Sequence, residues 1–445
     1  MAMEHCMNKY FLQSVESIRE MIAYDSSYQV SEDYPFGEGA ALCLRAFLNL
    51  ARSFGFETKN YYDYVGEIIF GEGKELAILA HLDVVPAGSG WKYPPFAAVV
   101  NDDESTGGVK GKKIWGRGTM DDKGPAVSCL YALKALKDQG FVPKRKIKFI
   151  LGCNEESGWR CIDYYKAHAV MPEEGFTPDA DFPAIYAEKG ILHLLLTFPL
   201  SSNDCPFLQG GYAANMVCDQ AVARVSKRIG NALSVHKNPI ADTTLTYDNS
   251  TGLLRAFGKS AHGSTPEKGA NAIYSILALL SPFDEGAKLA YDVLVNDSLG
   301  LTTLQDETGR CTLSAGKVSL EGNKLKITLD VRFPATMQKE CVLQRLQHGG
   351  ISVAVLHEQA PLYNDPKDAL ISTLMGVYNE ITGKNERPVA IGGGTYARAI
   401  KKGCAFGPEM EGDEATIHQP NEYITFERIK LLNQIYYEAV KKLCE

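Results

Sequence analysis

The sequence predicts an α/β fold, a mostly parallel central sheet flanked by helices, with an α+β domain inserted into it. Three observations lead there. Two short apolar runs, Leu76–Ala80 (LAILA) and Ile147–Leu151 (IKFIL), bracket an amphipathic stretch at Ala126–Lys137. Strand, helix, strand at this spacing reads as a βαβ unit. The middle of the chain changes to strand-like runs, and beyond Arg387 one apolar strand and a closing helix follow.

Taken in order, Phe11, Val15, Ile18 and Ile22 recur at spacings of three and four, which predicts a helix over the first 25 residues. A second helix is expected near Gly39–Phe54, ended by Gly55, and the Ala126–Lys137 helix is expected to stop at Gly140. In the middle, Ile191–Phe198, Thr243–Asp248, Leu253–Phe257 and Leu325–Phe333 read as strands. Pro266–Leu280 and Thr336–Gln347 read as helices, and Glu321-Gly322-Asn323 as a hairpin turn. Pro388–Ile391 reads as one more apolar strand, followed by the Gly392-Gly393-Gly394 turn, and the chain closes with a helix at Ile424–Leu443.

Composition narrows the class. The chain has 445 residues, 45% hydrophobic and 22% charged, which is ordinary globular usage and length enough for two or three domains. A net charge of -8 argues against a nucleic-acid partner, which usually meets a basic stripe. Eleven cysteines are scattered without a CxxC pair, as expected of reduced thiols in the cytoplasm. The N-terminus lacks the pattern of a signal peptide, and no run approaches the ~20 apolar residues of a membrane span. The expectation is a soluble, cytoplasmic protein with no membrane partner.

Four segments place metal-ligand residue types directly after apolar strands or in adjacent turns, where α/β sheets build their sites. His81-Leu82-Asp83 follows LAILA, and residues i and i+2 of an extended segment address one side. The alternative is a strand end entering a turn. Asp121-Asp122, in GRGTMDDKGP, precedes a helix, where an aspartate serves equally as an N-cap. Glu155-Glu156, in NEESG, follows IKFIL; one carboxylate of such a pair can hold a metal while the other handles a proton, or the turn is merely solvated. His418 lies in IHQPNE before the last helix. Together they form a mixed nitrogen and oxygen donor set that suits zinc and also manganese. There is no HExxH, no GxSxG and no GxxxxGK[ST].

HLDVVP, GRGTMDDKGP, NEESG, SAHGSTP and the late His418, in this order over nearly the whole chain, resemble the di-zinc aminopeptidase/carboxypeptidase/aminoacylase metallopeptidase family. PDADFPAIYAEKG and a long insertion resemble its PepV-like dipeptidases. The resemblance implies a catalytic domain at 1–186 and 386–445 and a lid domain at 187–385. It implies two divalent metal ions, Zn2+ or else Mn2+, held by His81, Asp121, Glu156, Asp179 and His418. Asp121 would bridge them, with a cis peptide after it, and Asp181 is the competitor for the place of Asp179. Asp83 would orient His81, and Glu155 would be the general base.

From the lid, the resemblance implies that His262 stabilises the oxyanion and that Arg332 grips the substrate carboxylate, which its planar fork suits. Asn215 and the turn Gly393, Gly394 and Thr395 would assist. The implied activity is hydrolysis of dipeptides by a monomeric enzyme, a lid that closes excluding longer peptides. The alternative is an N-acyl-amino-acid deacylase or succinyl-diaminopimelate desuccinylase of the same family. An inactive relative would often lack a ligand or the base, and every expected position is filled.

Overall fold

The computed structural model describes residues 2–102, 111–233, 240–348 and 351–445. The chain divides into two compact units: Met1–Tyr186 with Asn364–Val389 and Thr395–Glu445, and Ala187–Tyr363 with Ala390–Gly394.

The first unit is built on one sheet whose strands run in the order Glu57–Tyr61, Val65–Phe70, Arg145–Gly152, Lys74–His81, Glu174–Thr177 and Lys402–Ala405. Its centre is parallel: the 74–81 strand pairs in parallel with 145–152 on one side and 174–177 on the other, and 174–177 pairs in parallel with 402–405. The outer strands are antiparallel additions. Both LAILA and IKFIL lie inside central strands and are buried, Lys148 included, as strands covered on both faces require.

Between those two strands the chain forms the helix Lys123–Asp138, buried along most of its length. A helix this uniformly buried is packed on several sides. It contacts Ala2–Ile22 and Phe426–Cys444, which also contact each other. On Glu38–Ser53, Phe47 is fully buried and meets Phe149 edge-on at 6.0 Å. A small separate sheet joins Val99–Asp102, Lys112–Trp115 and Tyr423–Thr425.

The second unit is an eight-stranded, wholly antiparallel sheet with helices. Two of its long strands, Gly190–Pro199 and Lys324–Phe333, pair with each other over their whole length. Leu192, Leu194, Leu196 and Phe198 alternate along the first, and Leu325, Ile327, Leu329 and Val331 along the second, all in one apolar core. The period-two pattern thus gives each strand a buried face. Thr312–Glu321 turns into Lys324–Phe333 through Gly322 at φ +60°, the expected hairpin.

Three sequence expectations are adjusted. The Pro266–Leu280 helix is a short 3-10 turn, Pro266–Lys268, and then a separate helix, Ala272–Leu280. Lys259 pairs with Ala270 between them, and the Asn271 side chain caps the second by accepting from the Ile273 N–H at 3.0 Å. The Thr336–Gln347 helix is Glu340–His348. The chain leaves the second unit after Tyr363 rather than at 385, because the helix Ala369–Thr382 packs against Phe426–Cys444 of the first unit. Among the described residues no helix is long and apolar enough to cross a membrane.

Candidate metal centre

Parallel pairing puts the carboxyl ends of neighbouring strands side by side. His81 is in register with Gly152, and the Leu82 N–H donates to the Gly152 carbonyl at 2.9 Å. HLD and NEES are therefore adjacent. On the other flank, the 174–177 strand leads directly to Asp179. Asp121 sits in the turn between the 112–115 strand and the buried helix. The 423–425 strand pairs antiparallel with 112–115, Tyr423 opposite Trp115, which brings His418–Glu422 beside that turn.

The five expected metal-binding residues converge. His81 Nε2 lies 2.9 Å from Asp121 Oδ1 and 3.4 Å from Asp179 Oδ2. His418 Nε2 lies 2.8 Å from Asp121 Oδ2 and 3.1 Å from Glu156 Oε1. The two oxygens of Asp121 thus address two different imidazoles. The Asp121–Asp122 peptide is cis. Asp181 is instead on the short strand paired with Pro408–Glu409, where burial and Asp413 raise its carboxyl above the usual range.

Asp83 meets His81 through its main chain. His81 Nδ1 is 2.9 Å from the Asp83 backbone carbonyl and 3.6 Å from its carboxylate. The carboxylate instead accepts the N–H groups of Glu155 (3.0 Å) and Glu156 (3.1 Å), clamping the acidic pair. The main-chain carbonyl can only accept, so Nδ1 donates and Nε2 is the ring atom turned to the carboxylates. On a neutral ring that buried Nε2 would meet Asp121 and Asp179 acceptor against acceptor, so it needs either a proton or a cation there.

Such an arrangement calls for a cation. Burial works against charge on His81, yet Asp179 and Asp121 hold its imidazolium well above the usual range. Hydrogen bonds to Asp121 and Glu156 push His418 up to about 10. Burial and Asp121 push Glu156 up to about 7, and burial pushes Glu155 well up. Mixed imidazole and carboxylate donors crowded this closely fit divalent cations in the positions that protons neutralise in the metal-free site.

The remaining expected residues lie in the second unit, Thr395 excepted. His262 is exposed; its Nδ1 accepts the Ser264 N–H at 3.1 Å and lies 2.6 Å from Ser264 Oγ, which leaves Nε2–H as a donor. Burial and Arg332 lower its pKa, favouring the neutral ring. Arg332 is buried, with Nε and Nη2 both 2.9 Å from the Asp330 carboxylate and Nη1 3.3 Å from the Gly392 carbonyl. One edge of its fork is thus engaged, and the Nη1–Nη2 edge is the one left to meet a carboxylate. The Asn215 backbone carbonyl accepts from the Gly263 N–H. In the glycine turn the Gly392 carbonyl accepts from Arg332 Nη1. Thr395, in the first unit, caps a 3-10 turn by accepting from Ala397 N–H at 3.2 Å.

Sequence reasoning passed over a buried carboxylate. Glu422 takes Arg117 Nη1 at 2.7 Å and the Met120 N–H at 2.8 Å, and its oxygens also lie 3.1 Å from the Gly118 N–H. It ties down the turn that carries Asp121. The signal was the closing acid of HQPNE, but nothing local distinguishes it from a solvated loop acid. Asp122, noted in the sequence only as one of the paired aspartates, has a contact of its own: its Oδ2 accepts the His81 N–H at 3.1 Å.

A mixed α/β unit with imidazole and carboxylate ligands at the carboxyl ends of parallel strands defines a metallohydrolase architecture. The chain belongs to peptidase family M20/M25/M40, whose model matches residues 77–442. It is 32% identical over 457 residues to the Beta-Ala-Xaa dipeptidase of Lactobacillus delbrueckii subsp. lactis, covering 96% of this chain and 95% of that relative. Its fold resembles human carnosine dipeptidase 1, at TM-score 0.59 and 13% identity over 100% of this chain and 98% of that one. It also resembles the aminoacylhistidine dipeptidase of Vibrio alginolyticus, at TM-score 0.59 and 13% identity over 96% of each chain. The protein is a metallopeptidase of this family.

Proposed function

We propose that the protein is a dipeptidase, hydrolysing the single peptide bond of dipeptides with Glu155 as general base. The observation that carries this reading is the pairing of Asp121 with both His81 and His418, next to the adjacent acids Glu155 and Glu156. The full-length similarity to a Beta-Ala-Xaa dipeptidase supports the substrate class. His81, Asp121 and Asp179 would hold one cation, and His418, Glu156 and Asp121 the other, zinc by preference and manganese as the substitute. When bound, the cations would polarise the scissile carbonyl and lower the pKa of the attacking water.

Glu155 accepts the water proton as the carbon–oxygen bond forms, and returns it to the amine as the carbon–nitrogen bond breaks. Its burial, which raises its proton affinity, suits both steps. Asp83 holds the Glu155 and Glu156 backbone so that the two side chains keep separate duties. His262 contributes Nε2–H to the developing oxyanion, and Arg332 its Nη1–Nη2 edge to the substrate carboxylate. Asn215 and the turn of Gly393, Gly394 and Thr395 have supporting roles in this reading. The enzyme acts as a cytoplasmic monomer; the described cysteines are free thiols, buried except Cys341, in keeping with a reducing compartment.

The test is release of free amino acids from a panel of dipeptides, tripeptides and N-acyl amino acids, using chelated protein with zinc or manganese restored. Cleavage of dipeptides alone, and only with metal, is the expected result. Cleavage of N-acyl amino acids with dipeptides untouched would make the protein a deacylase or desuccinylase instead. For His262→Ala, kcat is expected to fall about 10²–10³-fold with metal content unchanged. Near-normal turnover in that variant would remove His262 from the mechanism.

A further inference from the structure

Trp159 stands four residues after Glu155 and directly before the helix Arg160–His168. Its indole Nε1–H donates to Glu155 Oε1 at 3.1 Å. The turn that carries both residues is held by Asn154: its backbone carbonyl accepts the Trp159 N–H at 2.8 Å, and its side-chain oxygen accepts the Arg160 N–H at 3.1 Å. Trp159 takes a left-handed backbone conformation, φ +62°, that is uncommon for a bulky residue.

The indole has a wall to rest on. Its ring meets Tyr396 edge-on, centroids 5.3 Å apart. Tyr396 is fully buried and in turn stands edge-on to the His81 ring at 6.0 Å. The Tyr396 hydroxyl lies 3.2 Å from Cys161 Sγ, and a Cβ on Gly152 would come within 2.0 Å of that hydroxyl oxygen. One aromatic post therefore runs from the metal-binding imidazole to the carboxylate beside it.

We propose that Trp159 is a positioning residue for the Glu155 carboxylate: its indole N–H holds Oε1 and so directs Oε2 to the water proton. This rests on the reading of Glu155 as general base. Without the donor, the side chain keeps its length but loses its fixed rotamer, and the proton acceptor spends less time in reach. Such a loss lowers kcat and leaves KM and metal content alone.

Two substitutions separate the donor from the ring. Trp159→Phe keeps an aromatic ring against Tyr396 and removes the N–H. Trp159→Gln removes the ring, yet its amide nitrogen lies the same number of bonds from Cβ as the indole nitrogen. Steady-state kinetics on a cleaved dipeptide, with bound metal measured for each variant, should show kcat reduced about 10-fold or more in Trp159→Phe, with KM and metal unchanged. Trp159→Gln should recover most of that loss. Near-normal kcat in Trp159→Phe overturns the proposal, and so does a Trp159→Gln variant as impaired as Trp159→Phe or worse, which would assign the effect to packing. Glu155→Ala is measured in parallel. If it is inactive while Trp159→Phe is unaffected, only the role of Trp159 falls. If it stays active, the base reading falls and the proposal with it.

Discussion

Glu155→Ala is expected to lower turnover by about 10²–10⁴-fold or more while the metal stays bound. The side chain is partly buried, and burial holds its carboxyl well above the usual range, so it takes a proton from water more readily than a surface glutamate does. It has no place among the contacts that join His81, Asp121, Asp179, Glu156 and His418. Its neighbour gives the control. Glu156 Oε1 faces His418 Nε2, so Glu156→Ala should lose metal as well as turnover. Metal analysis and kinetics on both variants check this. Loss of metal from Glu155→Ala, with activity restored by excess metal, would contradict the assignment.

Chelation is expected to abolish turnover, and zinc or manganese to restore it. It should also lower Tm, because a ligand that binds only the folded state at about 1,000 times its Kd contributes about 4 kcal/mol. The pH dependence follows from the donors themselves. In the metal-free protein the folded pKa of Glu156, about 7, lies above its ordinary value, and so does that of His418, about 10. Between ordinary and folded values the folded state binds more protons than the unfolded one, so stability falls as pH rises through that window. Glu156 acts from about pH 4.5 to 7 and His418 from about 6.5 to 10. The Tm gap between metal-loaded and chelated protein should therefore widen from pH 5 to pH 9. Thermal melts across that range test it, and a gap that narrows would mean that these groups do not carry the site's charge.

Much of the centre was legible because its ligands follow strands that announce themselves. LAILA is an unbroken apolar run and IKFIL is interrupted only by Lys148, and the polar residue types that end them stand out. The 112–115 and 423–425 strands were not legible: they are short, lie in a small separate sheet, and have no periodicity long enough to read. Their pairing nevertheless brings His418 to Asp121. The helix Ala369–Thr382 was missed for the same kind of reason, since its assignment to the first unit depends on contact with the final helix.

Glu422 and Trp159 show two further limits. Glu422 reads locally as a loop acid and becomes a buried anchor only because Arg117, some 300 residues earlier, lies against it. Trp159 is four residues from Glu155 in the chain, but the segment between them is a turn rather than a helix, so no periodicity announces that its indole donates to Glu155 Oε1. By itself the sequence determined the residue types of the centre, their order and the βαβ frame, since each depends on neighbours within a few residues. Only the tertiary structure decided that Asp121 meets both imidazoles, that Asp83 clamps the acidic pair by its backbone N–H groups, and that Glu422 holds the Asp121 turn. Those contacts are set by strand register and by burial, which removes water as the competing partner and leaves each polar group to the few others that the fold places within reach.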